Sequence, residues 1–126
     1  MADRPHGLDL LAIARETLRR DVLPDLMEES RYAALMIANA MAIATREAEA
    51  GEGPSRDAAE RLSRLLGTVT SKDLPSLNKE LIRRIRAGDF RPGTPEHTAL
   101  ARHLWECALQ QVRISNPKYL ERLGLK

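Results

Sequence analysis

The sequence predicts an all-α protein, and three observations carry that prediction. Aromatic residues make up only 3% of the 126 residues while hydrophobic residues make up 43%, so the core must be built from Leu, Ile, Met and Ala. That mix, dominated by Leu and Ala, favours helix over strand. Every periodic apolar segment repeats at helical spacing and none alternates as a strand does. The breaks between segments carry helix stop and start chemistry: Pro24, Gly51, Gly67, Gly88, Thr94-Pro95 and Asn116-Pro117. The expectation is a single domain over residues 1–126, a compact bundle of about five helices with the second helix central.

In the first helix, Leu11, Ala14, Leu18 and Val22 form the apolar stripe, with Arg15, Arg19 and Arg20 off it. Pro24 ends it, because the residue before a proline avoids helical backbone angles. Asp25–Ser30 reads as a link into a second helix from about Arg31 to Ala50, closed by Gly51. From Tyr32 to Thr45 this helix has no charge and is apolar all round, with six alanines between larger side chains. A helix apolar on every side is expected at the centre of a core.

Ser55 is the expected N-cap of a short third helix with Ala59, Leu62 and Leu66 inward, and Asp57–Arg61 and Glu60–Arg64 as outer pairs. Asp73 caps a fourth, with Leu74, Leu77, Leu81 and Ile85 on one face. Thr94-Pro95-Glu96 starts a fifth by combining a capping hydroxyl, proline in the first turn and an acid against the helix dipole. Its stripe is Leu100, Leu104, Ala108 and Val112, with Arg102–Glu106 outside.

Twenty basic residues against eighteen acidic ones leave a charge of +2, too small for a strong overall field. The single cysteine, Cys107, excludes an intrachain disulfide and fits a reducing compartment. The start lacks the apolar run of a secretory signal, and the longest uncharged stretch falls short of the roughly 18 residues of a membrane span. A cytoplasmic protein without a membrane segment is expected.

No catalytic constellation emerges, and the chain is expected not to be an enzyme. There is no Gly-x-Ser-x-Gly elbow, phosphate loop or dinucleotide fingerprint, so no cofactor is expected. His97 and His103 lie about 240° apart around one helix and cannot share a metal from one face. His103 and Glu106 provide two potential ligands, too few for a metal site. Cys107, in mid-helix, reads as a small buried hydrophobe rather than a nucleophile.

The interface or ligand candidates are Asn39, Ala42, Lys79, Arg83, Arg86 and Trp105. Asn39 is an amide in an apolar turn that needs a partner, either the backbone of a neighbouring helix or a loop of the chain, or else a second subunit or a ligand. Ala38, Ala42 and Thr45 line one side of the second helix and allow close approach of another, so a homodimer is expected, burying about 800 Å² per partner. Lys79, Arg83 and Arg86 line a basic face that could meet an acidic partner, a phosphate or nucleic acid. Without interleaved aromatics, and with Glu80 available to Arg83 or Arg84, it reads first as a solvated face. Trp105 is core filler or an interface anchor.

The chain resembles an uncharacterised bacterial family of small helical proteins. The residues that carry the resemblance are Arg4-Pro5, Leu10-Leu11, Val22-Leu23-Pro24, Tyr32, Ala38-Asn39-Ala40-Met41-Ala42-Ile43, Arg46-Glu47, Arg61-Leu62, Leu65-Leu66-Gly67, Asp73-Leu74, Leu77-Asn78, Ile85-Arg86-Ala87-Gly88, His103-Leu104 and Asn116-Pro117-Lys118-Tyr119. Such proteins are encoded beside, or fused to, aminoglycoside-phosphotransferase-like kinases and acyl-CoA dehydrogenases. The resemblance thus implies a place in acyl-CoA or related small-molecule metabolism and supplies no catalytic residue. The expected function is a non-catalytic accessory or interaction protein working with such a kinase or dehydrogenase. The alternatives are a binder of an acyl or phosphorylated small molecule in a pocket between helices and, more weakly, nucleic-acid binding through the basic helix face.

Overall fold

The structure is a computed structural model and describes residues 6–67 and 73–125. The Arg4-Pro5 pair lies outside the described residues. Helices and turns account for the described chain, without a strand. In order they are α1 (Gly7–Thr17), a π-helical turn (Leu18–Val22), a 3-10 turn (Leu23–Asp25), α2 (Glu28–Ala50), α3 (Gly53–Leu66), α4 (Leu74–Arg86), α5 (Pro95–Ser115) and α6 (Pro117–Arg122). They fall into two compact units. The first comprises the chain up to Gly51 together with Ile114–Asn116, the second Glu52–Arg113 together with the residues from Pro117 on.

In the first unit α1 packs on α2. The π-helical turn sets the register at the end of α1. Leu23 donates its amide to the Leu18 carbonyl, five residues back, so the turn holds one residue more than an α-turn. That extra residue brings Leu23 into the interior and leaves Val22 exposed, against the expected stripe. Ala14 is likewise exposed, whereas Arg15 is half-buried and its Nε donates to the Ala38 carbonyl on α2 at 2.9 Å. The inward row of α1 is therefore Leu8, Leu11, Arg15 and Leu18.

Helix α2 begins earlier than the link Asp25–Ser30 implied. Met27 is the extended cap residue, and Glu28 and Glu29 occupy the first turn, where carboxylates favour the positive end of the helix dipole. Its end at Gly51 is as expected, with φ at +60°. Its burial differs from expectation: Ala34 and Ala38 are its buried residues, and its large side chains from Tyr32 to Ile37 face solvent. The small residues allow α1 to come close, and the larger ones occupy the remaining circumference.

The second unit holds the leucine core. Leu62 and Leu66 from α3, Leu77 and Leu81 from α4, and Leu100 from α5 meet there, edged by Ala59, Leu65, Leu74 and Phe90. Ile85, expected on the same face of α4, is exposed. α3 starts at Gly53-Pro54, ahead of the expected cap Ser55. Proline fits because a first-turn amide has no helical acceptor to lose. α3 stops at Gly67, whose left-handed φ of +70° no β-carbon residue adopts cheaply. Arg84 spans α4 to α3, its Nη1 donating to the Leu66 carbonyl at 2.8 Å, where C-terminal carbonyls lack helical donors. Thr94 caps α5 as expected, its Oγ1 accepting from the His97 amide at 3.2 Å. After Asn116 the chain resumes as α6, with Leu120 buried.

Candidate functional site

The expected site residues fall in separate places. Asn39 is exposed on α2, so its amide meets water and the expectation of a buried group needing a partner is corrected. The Ala38–Ala42–Thr45 side, expected to receive a second subunit, is covered within the chain: Ala38 is buried beside α1, and Ala42 and Thr45 are half-buried. Thr45 Oγ1 turns back to the Met41 carbonyl at 2.8 Å.

The α2 surface that remains open is different and strongly apolar. Tyr32, Leu35, Met36 and Ile37 are 67%, 42%, 49% and 51% exposed. At about 100° per residue, Tyr32, Met36 and Asn39 lie along one line opposite the Ala34–Ala38 contact. Leu10 and Ile13 on α1 are exposed too. The α2 stretch from Tyr32 through Thr45 contains one amide and no charge.

On α4, Lys79, Arg83 and Arg86 are exposed. The Arg83 charge is already engaged, since its Nη2 and Nε reach the two Glu80 carboxylate oxygens at 2.6 and 3.1 Å. Arg84 Nε reaches Oε1 of the same carboxylate at 3.1 Å. These hydrogen bonds from Arg83, then Arg84, hold Glu80 down at about 2. The carboxylate thus stays ionised through the physiological range, and its small contribution is lost only as pH falls from the ordinary glutamate value toward about 2. One carboxylate shared by two guanidiniums weakens the basic face that the sequence suggested.

An open depression of about 470 Å³ lies over α3 and the start of α4, its wall including Glu52, Arg56, Asp73, Leu74 and Pro75. Two carboxylates flank the single guanidinium, an arrangement that opposes a phosphorylated ligand.

The most concentrated group of polar side chains was not anticipated. The inward row of α5 is Leu100, His103, Cys107 and Gln110, rotated from the expected row; Leu104, Ala108 and Trp105 (55% exposed) face outward. Among the described residues His103 is the buried polar side chain, at 6% exposure. Its Nε2 lies 3.7 Å from Cys107 Sγ, one helical turn away. From α3, Arg61 Nη2 donates to the same sulfur at 3.8 Å instead of pairing with Asp57. Burial, and secondarily the Arg61 charge, push the His103 imidazole below its ordinary value, so the ring stays neutral near pH 7. Arg61 Nε and His103 Nδ1 are both buried without a hydrogen-bond partner among the described residues. His103 and Cys107 were each visible in the sequence, and their spacing of four was the available signal; Arg61 lies 46 residues from Cys107 and had none.

Among the described residues no group of three or more His, Cys, Asp and Glu side chains is placed to hold a metal ion. No helix among them is long and apolar enough to cross a membrane. Searches of curated proteins and of solved structures returned no match. A family model does match: the one described as Domain of unknown function (DUF6285) spans residues 24–119, from the end of the 3-10 turn region through α2, α3, α4 and α5 into α6, and the chain belongs to that family.

Proposed function

We propose that the protein is a non-catalytic accessory protein that binds a partner through the outer face of α2. The observation that supports this is the exposed group Tyr32, Leu35 and Met36, within about 100° of the helix circumference and flanked by exposed Ile37, in a helix without charge from Tyr32 to Thr45. Large apolar side chains grouped on one surface mark interaction sites in soluble proteins, and tyrosine and methionine suit such surfaces. The partner is a phosphotransferase-like kinase or an acyl-CoA dehydrogenase, the enzymes that the sequence resemblance places beside proteins of this kind. Asn39, in line with Tyr32 and Met36 on the same face, supplies the polar contact that fixes register, and Ala42 supports the helix from its inner side.

The test is co-expression with the neighbouring kinase or dehydrogenase, followed by light scattering on the purified material. A stoichiometric complex that Met36→Glu abolishes, while the circular dichroism spectrum is unchanged, supports the proposal. A homodimer dissociated by the same substitution, with no enzyme bound, replaces it with self-association. A monomer that carries a small molecule in native mass spectrometry replaces it with ligand binding.

A further inference from the structure

The Arg61–His103–Cys107 group makes a site that the accessory reading does not use. Three features set Cys107 apart from a core cysteine. Its sulfur faces an imidazole nitrogen at 3.7 Å and a guanidinium nitrogen at 3.8 Å, instead of aliphatic carbon alone. The imidazole is itself more than nine-tenths buried, aims Nε2 at the sulfur and leaves Nδ1 without a partner. The guanidinium, which reaches the sulfur through Nη2, keeps Nε as a buried donor that is also unused. A buried donor without an acceptor is costly, on the order of 1–3 kcal/mol, so the arrangement favours an oxygen-bearing guest.

We propose that Cys107 is a modification site, a thiol oxidised to a sulfenic acid by hydrogen peroxide or a small organic hydroperoxide. Cys107 is half-buried, which restricts access to small reagents, and a hydroperoxide at the sulfur offers an acceptor oxygen to the Arg61 guanidinium, whose Nη2 lies 3.8 Å from Sγ. In the reaction, Sγ attacks one peroxide oxygen while His103 Nε2 takes the thiol proton. The S–O bond forms as the O–O bond breaks. His103 returns the proton to the departing oxygen, so that thiol plus hydrogen peroxide yields sulfenic acid plus water. Sulfur is oxidised by two electrons and the peroxide is reduced by two. The neutral state of His103 suits it to accept that proton. Since Cys107 is the chain's single cysteine, a thiol from another molecule must return it to the reduced form.

The experiment reacts the reduced full chain with hydrogen peroxide, traps sulfenic acid with dimedone and follows the adduct by intact mass. The reference is a short unstructured peptide carrying the same cysteine. The folded chain should react at least about tenfold faster than the peptide, and His103→Gln and Arg61→Met should each slow it about tenfold, less than the roughly 100-fold or more of full acid–base catalysis. Relative to the peptide at the same pH, the rate should also fall on acidification as His103 protonates, a difference that His103→Gln removes. A wild-type rate no greater than that of the peptide overturns the proposal. A fast rate unmoved by the substitutions overturns the roles of the two neighbours. If one variant fails to fold, the other and the wild-type comparison still decide.

Discussion

The two units bury different kinds of residue. The second is held by five leucines from three helices, with Leu62 and Leu77 fully buried. The first buries Leu23 and the two alanines Ala34 and Ala38, while Tyr32, Leu35, Met36 and Ile37 stand in solvent. The second unit coheres through its buried leucines; the first coheres through Leu23, the half-buried Leu8, Leu11 and Leu18, close helix approach at the alanines and an arginine-to-carbonyl bond, and leaves Tyr32, Leu35, Met36 and Ile37 of α2 outside. Hydrophobic character alone therefore does not locate a core. The difference places the buried large side chains in one unit and leaves an exposed apolar face, the surface proposed for recognition, on the other.

The sharpest test of that contrast is truncation of the leucine core. Leu62→Ala or Leu77→Ala should cost about 2–5 kcal/mol in urea unfolding, because each leaves a cavity among residues that cannot close it. In the first unit the vulnerable change is enlargement. Ala38→Leu should cost about 1–3 kcal/mol by forcing α1 from α2, and a neutral result would break the close-approach account. Arg15→Met should cost roughly 1 kcal/mol, the worth of a bond that the Ala38 carbonyl then loses.

A pH dependence follows from His103. Its folded-state pKa lies below that of the unfolded chain, so the unfolded state binds the proton first on acidification. Stability should be full above the ordinary histidine value of about 6.5 and should decline as pH falls through it toward the folded value. Unfolding curves at a series of pH values check this, and His103→Gln should flatten that part of the profile. The smallest stability effect belongs to the exposed face: Met36→Glu should change unfolding free energy by less than about 0.5 kcal/mol while abolishing partner binding. A large loss of stability there would erase the distinction between the two regions.

Much of the fold was legible because helix ends are local. Gly51 and Gly67 closed helices where expected, Thr94-Pro95 opened α5, and Glu80 paired with both Arg83 and Arg84. The leucines of α3 and α4 and Leu100 announced their shared face by spacing alone. Errors arose where a neighbour decided the outcome. A π-helical turn displaced Val22 in favour of Leu23, and the early start of α2 absorbed Glu28, Glu29 and Ser30 into a helix. α6 was too short for periodicity to reveal.

The sequence by itself determined helix type, approximate boundaries and the residues that share a face, because backbone geometry and capping act over four or five positions. Only the tertiary structure decided which face each helix turns inward. In α2 the choice fell on the alanines, since α1 could approach closely there and Arg15 could reach the Ala38 carbonyl. In α5 it fell on Leu100, His103 and Cys107 rather than on the more apolar row through Leu104, bringing the sulfur within reach of Arg61 on α3. Periodicity specifies angles within a helix, whereas burial and chemistry depend on contacts made across the chain.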